Sequence, residues 1–319
     1  MMTTTSLGIL GVGHHLPGLP VSNEAMAETA GIDIEWIRER TGIETRHRAA
    51  PESLTSDLAT QAAHRALETA PAGTDMIVLG TSTPDGLSPS TACHVQRNLG
   101  LGGVPAFDVS AGCSGFLYAL CVASAMVAAG LARHPLVVGA DVMTRWVDPK
   151  DERVAPLFGD GAGAVLLGPV PDGYGILALE MWADGSLSEV AVMPHHGGWF
   201  RMDGRGVKRV VMEMAPKILE AALAKAGVRL DQLDRLLVHQ ANPKLVRRLG
   251  DFVGLPPEAV PDYGRLTGNT AGASVAVTFS MAHAERPFRD GDLFALLAVG
   301  AGMTAAAAIV RWHDPATAA

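Results

Sequence analysis

One cysteine, Cys113, stands between two glycines in the segment DVSAGCSGFLYAL, residues 108–120. The apolar run after it predicts a long helix, which puts Cys113 at or near a helix N-terminus. Unpaired backbone N–H groups and the positive end of the helix dipole favour a thiolate there, so we expect a lowered thiol pKa. Cys113 is therefore a candidate nucleophile; the alternative is a small buried side chain that only fills space.

Two polar residues in the C-terminal part of the chain are further candidates. His239 ends the apolar run of LLVHQANPKLV, residues 236–246, where it would face a cleft, or else serve as a hydrogen-bonded structural histidine. Asn269 lies in the glycine-bounded turn of RLTGNTAGASVAV, residues 265–277, where asparagine is commonly a cap or turn residue. Neither residue identifies a reaction by itself.

Other familiar motifs are incomplete. The G-x-S-x-G elbow of serine hydrolases is not met around Ser114, which leaves the cysteine as the candidate nucleophile. GILGVG, residues 8–13, lacks the acid that follows about 20 residues later in a dinucleotide-binding unit. FGDGAGAVLL, residues 158–167, lacks the Gly-Lys-Ser/Thr of a phosphate loop. His14–His15 and His195–His196 lack the spacing of metal ligands, so no metal site is expected.

Composition narrows the function classes. Of 319 residues, 48% are hydrophobic and 18% are charged, which suits a chain that buries a large core. The net charge of −8 and the lack of a basic run argue against general nucleic-acid binding. The sequence shows no signal-peptide pattern, no uninterrupted apolar stretch of ~18 residues and no disulfide framework. We therefore expect a cytoplasmic protein that does not bind a membrane.

Short continuous apolar runs alternate with helical patterns along the chain. Such strands are typical of sheets covered on both faces, which predicts a layered α/β fold. The predicted strands cover residues 75–80, 134–141, 161–168, 234–240 and 293–300, and the predicted helices cover residues 54–70, 114–132, 209–226 and 242–250.

The chain also resembles itself. The spacing of the matches is far too long for a solenoid and indicates a duplicated half. We expect two halves, residues 1–170 and 171–319, with a functional site between them. Cys113 corresponds to Ala273, so only the first half would carry the nucleophile. The matches, in the same order, are residues 75–84 with 234–243, 110–114 with 270–274, and 138–140 with 299–301.

Cys113, His239 and Asn269, with the segments around them, resemble the β-ketoacyl-acyl-carrier-protein synthase III family of condensing enzymes. The resemblance runs nearly from end to end. It implies the thiolase-like five-layered α-β-α-β-α fold of two duplicated halves, and a homodimer. Its motifs are EWIRERTGIETRHRA (35–49), PAFDVSAGCSGF (105–116), FGDGAGAVLL (158–167), HQAN (239–242), GNTAGAS (268–274) and VGAGMTAAAAIVRW (299–312).

The chemistry implied by this resemblance is acyl transfer followed by condensation. Cys113 would attack an acyl-CoA thioester, while backbone N–H groups of Cys113 and of the Ala301–Gly302 loop hold the developing oxyanion. His239 and Asn269 would then stabilise the enolate that forms when a malonyl thioester on acyl carrier protein loses CO₂. No cofactor is implied beyond these substrates.

Related classes differ at these positions. A degradative thiolase would have a second catalytic cysteine near the C-terminus, whereas the last cysteine here is Cys121, and a two-histidine synthase would have histidine at Asn269. Plant-type chalcone synthases share the Cys-His-Asn set, but HQAN and GNT fit synthase III better. Three questions stay open: fatty-acid initiation or secondary metabolism, acyl transfer to an alcohol or amine without decarboxylation, and a non-catalytic role in a synthase complex.

The resemblance also implies residues that bind substrate and partner. Trp36 and Arg153 match a pair that sandwiches the adenine of CoA, and Arg40 lies one turn beyond Trp36. For Trp36 alone, ordinary core packing is the alternative. The candidates for a basic patch that binds the acidic carrier protein are Arg209, Lys244, Arg247 and Arg248.

The chain departs from the family around the substrate channel. Lys208 stands where a phenylalanine is common beside the CoA channel, and Ser88 stands where a large aromatic residue often closes the acyl pocket. We therefore expect Leu87 and Ser88 to border an acyl pocket with room for a starter longer or bulkier than acetyl.

Overall fold

Two mixed sheets with a layer of helices between them form the frame of the molecule. The structure is a computed structural model and describes residues 5–194 and 197–314. No helix in these ranges is long and apolar enough to cross a membrane.

The first sheet has five strands in the order β1-β7-β6-β4-β5. β4 runs parallel to β5 and β6, whereas β7 is antiparallel to both β6 and β1. β2 and β3 pair separately. The strands are β1 (Thr5–His15), β2 (Val21–Ser22), β3 (Thr45–Arg46), β4 (Met76–Gly80), β5 (Ala106–Val109), β6 (Pro135–Asp141) and β7 (Gly161–Pro171).

The second sheet has four strands in the order β11-β12-β13-β8, which repeats the order β4-β6-β7-β1 of the first sheet; among the described residues it has no counterpart of β5. β11 is parallel to β12, and β13 is antiparallel to both β12 and β8. β9 and β10 form a separate pair. The strands are β8 (Gly175–Ala183), β9 (Ala191–Val192), β10 (Arg201–Met202), β11 (Arg235–Val238), β12 (Leu293–Gly300) and β13 (Thr304–Arg311).

Two helices that are apolar around most of their circumference fill the space between the sheets. α5 packs on β4 and β6 of one sheet and on β12 and β13 of the other, and α9 packs on β1, β7 and β11. A helix without a polar face must be buried on all sides, which explains this central position. The helices are α1 (Asn23–Ala30), α2 (Ile34–Thr41), α3 (Thr55–Glu68), α4 (Thr91–Asn98), α5 (Gly115–Ala128), α6 (Gly204–Ala226), α7 (Pro243–Val253), α8 (Gly264–Thr267) and α9 (Ser274–Glu285).

Amphipathic helices cover the outer faces of both sheets. α3 and α4 pack on the first sheet, while α6 and α7 bury apolar side chains with the second sheet. The layers are therefore helix, sheet, helix, sheet, helix, and the expected five-layered thiolase-like fold is confirmed. The division into halves at residue 170 stays a prediction.

Candidate active site

A cavity of about 1930 Å³ opens at the carboxyl ends of the parallel strands of both sheets. Ligand cavities commonly measure about 300–1,000 Å³, so this one has room for a long substrate. Its wall includes all three residues singled out in the sequence, namely Cys113, His239 and Asn269.

Cys113 lies in a 3-10 turn, Gly112–Ser114, that joins β5 to α5. Gly112 has a φ of +56°, and a Cβ atom there would lie 2.7 Å from the backbone nitrogen of Ala301. The Ser114 hydroxyl donates to the carbonyl of Thr304 at 3.1 Å, and the Thr304 hydroxyl donates to the carbonyl of Ala111 at 2.8 Å. The nucleophile turn is thus tied to the start of β13 in the second sheet.

The prediction that the pKa of the Cys113 thiol is lowered is wrong. Burial, together with the negative charge of Asp141, raises the pKa of the Cys113 thiol to about 12. Hydrogen bonds from the backbone N–H groups of Ala301 and of Cys113 itself act in the opposite direction but do not prevail. The thiol is therefore protonated in the resting enzyme, because desolvation of the thiolate outweighs the favourable helix N-terminus.

The Gly300–Gly302 segment packs directly against the nucleophile turn. A Cβ atom at Gly300 would lie 2.6 Å from the backbone nitrogen of Cys113 and 2.7 Å from that of Ser114. Gly302 has a φ of +73°, which turns the chain after Ala301. This close packing brings the backbone N–H groups of Cys113 and Ala301 near the Cys113 sulfur, where both act to lower the pKa of the thiol.

Replacing Gly300 with alanine is expected to separate these two turns. Because the clash is with backbone atoms, the substitution should destabilise the fold by about 1–3 kcal/mol, as overpacking does. It should also slow the acylation of Cys113 beyond that loss, since the two N–H groups no longer converge. Thermal unfolding and the rate of acylation measure the two effects.

Gly73→Ala is the matched control for Gly300→Ala. A Cβ atom at Gly73 would have no neighbour within 4 Å, so both stability and acylation should stay near wild type. Equal acylation rates in the Gly300 and Gly73 variants would contradict the assigned role of the 300–302 turn.

His239 follows the last residue of β11. Its backbone N–H donates to the carbonyl of Leu297 at 2.8 Å, which extends the β11–β12 ladder by one residue. Burial lowers the pKa of the imidazole to about 4, so His239 is neutral at neutral pH. Its Nδ1 atom has no hydrogen-bond partner in the described part of the chain. A neutral imidazole can donate one N–H to a substrate carbonyl.

Asn269 is held by a segment that is distant in the chain and by the turn that follows it. Its backbone N–H donates to the carbonyl of Leu157 at 2.8 Å, and its own carbonyl accepts from the N–H of Gly159 at 3.1 Å. Its side-chain Oδ1 accepts from the N–H of Ala271 at 2.9 Å, where the backbone has a φ of +46°. Since Oδ1 is occupied by this turn, the amide NH₂ group is the part left to donate into the cavity.

The residues implied for substrate binding are partly gathered at the same cavity. In the described part of the chain, the residues that line the cavity do not include Ser88, Arg209 or Arg247. Arg247 instead forms an ion pair with Asp262 at 3.7 Å. The cavity wall includes Leu87 but not the adjacent Ser88, and the acyl pocket at these two residues stays a prediction. The cavity wall includes Trp36, Arg40, Leu87, Arg153, Lys208, Lys244, Arg248, Ala301 and Gly302.

Sequence reasoning missed Asp141, the last residue of β6. This carboxylate is fully buried next to the nucleophile turn, and its pKa is raised to about 6 by burial. A single acid that ends the apolar run HPLVVGAD was the signal that could have found it. Among the described residues no cluster of three His, Cys, Asp or Glu side chains could hold a metal ion, and His195–His196 lies outside them.

The sequence matches known proteins along nearly its whole length. Residues 107–185 match the profile of 3-oxoacyl-[acyl-carrier-protein] synthase III, and residues 223–312 match the profile of its C-terminal part. A β-ketoacyl-[acyl-carrier-protein] synthase III from Caldanaerobacter subterraneus is 37% identical, and the alignment covers 98% of this chain and 99% of that protein.

Solved structures agree. The 3-oxoacyl-(acyl carrier protein) synthase III of Pseudomonas aeruginosa PAO1 superposes with a TM-score of 0.93 at 34% identity, over 97% of this chain and 99% of that one. The priming β-ketosynthase of the R1128 polyketide pathway gives 0.90 at 32% identity, over 97% of each chain. The chain belongs to the β-ketoacyl-acyl-carrier-protein synthase III family of acyl-transferring condensing enzymes.

Proposed function

We propose that this enzyme loads Cys113 from an acyl-CoA and condenses the acyl group with a malonyl thioester carried by acyl carrier protein. The observation that supports this most directly is the shared cavity, in which Cys113, His239 and Asn269 meet at the ends of strands from both sheets. The product is a β-ketoacyl thioester on the carrier.

In the first step the Cys113 sulfur attacks the thioester carbonyl and CoA leaves. The negative charge on the carbonyl oxygen is held by the N–H groups of Cys113 and Ala301. The proton of the Cys113 thiol ends on the sulfur of CoA, so the step exchanges one thioester for another without net charge. The thiol must lose this proton before or during the attack, because the thiolate is the nucleophile.

In the second step the bond between the malonyl α-carbon and its carboxylate breaks and CO₂ leaves. The electron pair forms an enolate, whose oxygen accepts hydrogen bonds from His239 and from the Asn269 NH₂ group. The enolate carbon then attacks the acyl-Cys113 carbonyl and the C–S bond breaks. The thiolate that is released takes up one proton from the solvent, which balances the negative charge of the malonyl carboxylate lost as CO₂. A neutral His239 donates to the enolate without needing to be charged.

Measuring CO₂ release from malonyl-carrier protein, with and without acyl-CoA, tests this function. We expect release coupled to β-ketoacyl product when acyl-CoA is present. Acylation of Cys113 without CO₂ release, and with transfer to an added alcohol or amine, would replace condensation by simple acyl transfer.

The adenine end of CoA is assigned to Trp36 and Arg153, with Arg40 close by on α2. Trp36 is half-buried and lines the cavity, whereas Arg153 is exposed at its wall. Trp36→Ala should raise KM for acyl-CoA about tenfold with little change in kcat, because stacking on a base contributes about 1–3 kcal/mol. Steady-state kinetics measure this split. Trp199, which is 46% exposed, gives the control Trp199→Ala, whose KM should not change.

The starter is assigned as an acyl group longer than acetyl. The cavity volume and the exposed Leu87 at its wall support this size. Purified enzyme offered acetyl-CoA and medium-chain acyl-CoA at equal concentration should acylate Cys113 faster with the longer chain. Ready acylation by acetyl-CoA and poor acylation by the medium chain would overturn the assignment.

The carrier protein is assigned to the basic face of α7 beside the cavity. Lys244 and Arg248 are exposed there and line the opening, while Arg247 lies on the same helix outside it and Arg209 lies on α6. An acidic carrier would be drawn to this patch although the whole chain is negative.

A homodimer and a place in secondary metabolism complete the proposal. β5 is an edge strand that pairs only with β4 in the described sheet, and a free edge suits pairing with a second copy. The departures from the family pattern at Lys208 and Ser88 are the ground for a specialised use rather than fatty-acid initiation, and the R1128 priming ketosynthase shows that a structure of this kind also occurs in a polyketide pathway.

A further inference from the structure

Asp141 makes more polar contacts than any step proposed above requires. Its Oδ1 atom accepts from the hydroxyl groups of Thr81 and Thr83 at 3.0 and 2.9 Å, and from the N–H groups of Ser82 and Thr83 at 2.7 and 3.0 Å. Its Oδ2 atom accepts from the N–H of Gly272 at 2.7 Å. One carboxylate therefore connects the segment after β4 with a turn of the second half.

This carboxylate has no charged partner. The side chain is fully buried, and no lysine, arginine or histidine of the described residues forms an ion pair with it. Burying a lone charge is costly, and here neutral N–H and O–H donors alone offset the cost. The hydrogen bonds that offset the cost of burying the carboxylate therefore also hold the donor groups in fixed positions.

The turn that contains Gly272, the 271–273 turn, also orients Asn269. Two successive N–H groups of this turn are held by two different side chains, Ala271 by Asn269 and Gly272 by Asp141. The same turn touches the nucleophile turn, since a Cβ atom at Gly272 would lie 3.3 Å from the carbonyl oxygen of Gly112 and 2.9 Å from Oδ2 of Asp141. Asp141 thus lies where the two turns meet.

We propose that Asp141 is a positioning residue for the condensation step: its carboxylate locks the 271–273 turn, and through it the Asn269 amide, against the Cys113 turn. The inference rests on the proposed function of Asn269. It assigns to Asp141 no contact with substrate. The nearby anion also disfavours ionisation of the Cys113 thiol, a second consequence of the same placement.

Asp141→Asn is the test. An amide has one oxygen acceptor instead of two, and its NH₂ group would face N–H donors where the second carboxylate oxygen now accepts. The connection between the segment after β4 and the 271–273 turn should therefore be lost. We expect CO₂ release from malonyl-carrier protein to fall by roughly 10²-fold, because a small misplacement of a catalytic group has this effect. Acylation by acyl-CoA should not fall, because the Cys113 thiol ionises more easily without the Asp141 charge. Removal of the charge should also speed alkylation of Cys113 by iodoacetamide about tenfold, read by peptide mapping.

Asp160→Asn is the matched control. Asp160 is also fully buried and accepts from Ala49, Thr144 N–H and the Thr144 hydroxyl, but it has no bond to the 271–273 turn. This variant should lose stability without changing the ratio of the two half-reactions or the alkylation rate. A parallel fall of both half-reactions in the Asp141 and Asp160 variants would overturn the proposal.

Thr81→Val keeps the proposal testable if Asp141→Asn does not fold. It removes one O–H donor to Asp141 and preserves side-chain shape, so the same ratio should shift in the same direction by a smaller factor. If a folded Thr81→Val protein keeps the wild-type ratio of CO₂ release to acylation, that result contradicts the proposed role of Asp141. Failure of the wild type to release CO₂ would instead overturn the proposed function, while the alkylation comparison, which needs no substrate, still tests the position of Asp141.

Discussion

Cys113→Ala is expected to abolish acylation by acyl-CoA and to reduce condensation by roughly 10⁴-fold or more, as removal of a covalent nucleophile does. The expectation follows from the two N–H groups that converge on this sulfur and on no other cysteine described above. Cys113→Ser should be nearly as inactive, because a buried hydroxyl is a weaker nucleophile than a thiol at any accessible pH. Intact mass after incubation with acyl-CoA measures acylation.

Cys93→Ser is the control for the nucleophile. Cys93 is exposed on α4, and Cys121 is buried within α5, so neither meets the oxyanion donors. The Cys93 variant should gain acyl mass as the wild type does. A Cys113→Ala protein that still gains acyl mass, or still condenses, would remove the basis of the proposed mechanism.

His239→Ala and Asn269→Asp are expected to separate the two half-reactions. Each removes a donor to the enolate oxygen, and losing one donor to a developing oxyanion costs about 10²–10³-fold in rate. Asn269→Asp keeps an acceptor for the N–H of Ala271, so the turn stays in place while the NH₂ group is lost. Acylation should fall less than about tenfold, since the Cys113 and Ala301 donors are intact. Rapid mixing with acyl-CoA, and then with malonyl-carrier protein, measures each step.

His64→Ala, on the exposed face of α3, provides the control for the histidine variant and should leave both steps unchanged. If acylation falls as far as CO₂ release in the His239 variant, then His239 takes part in deprotonating Cys113 and its proposed role is wrong.

The layered fold was predictable because its signals are local. The strand predicted at residues 293–300 coincides with β12, Leu293–Gly300. The strands predicted at residues 75–80 and 134–141 match β4 and β6 to within one residue. Continuous apolar strands can only be buried on both faces, which already requires helices on either side. Helix ends were less accurate: α5 ends at Ala128, four residues before the predicted end at 132.

The electrostatics of the nucleophile were not predictable from its own segment. The helix N-terminus after Cys113 correctly indicated favourable N–H groups, but Gly112–Ser114 form a separate 3-10 turn before α5 begins at Gly115. The opposing effects are burial and Asp141, which lies on another strand. A local sequence pattern indicates that a residue lies just before a helix, but it does not indicate which parts of the fold bury that residue.

The partners of Asn269 illustrate the same limit. The GNT turn was visible in the sequence, and the resemblance implied a role for it, but its backbone is held by Leu157 and Gly159, which are more than a hundred residues away in the chain. Similarly, Leu87 reaches the cavity whereas the adjacent Ser88 does not. Long-range pairings of this kind depend on how the two sheets stack, which no spacing in the sequence encodes.

A single-turnover mass measurement tests directly whether one cavity first holds an acyl-Cys113 and then uses it in a decarboxylating condensation. Purified enzyme is mixed with acyl-CoA, its intact mass is recorded, and malonyl-carrier protein is then added. The proposed mechanism predicts a mass gain of one acyl group on the Cys113 peptide, followed by return to the original mass with one CO₂ released per acyl group lost. No mass gain on Cys113, or loss of the acyl group without CO₂, would contradict it.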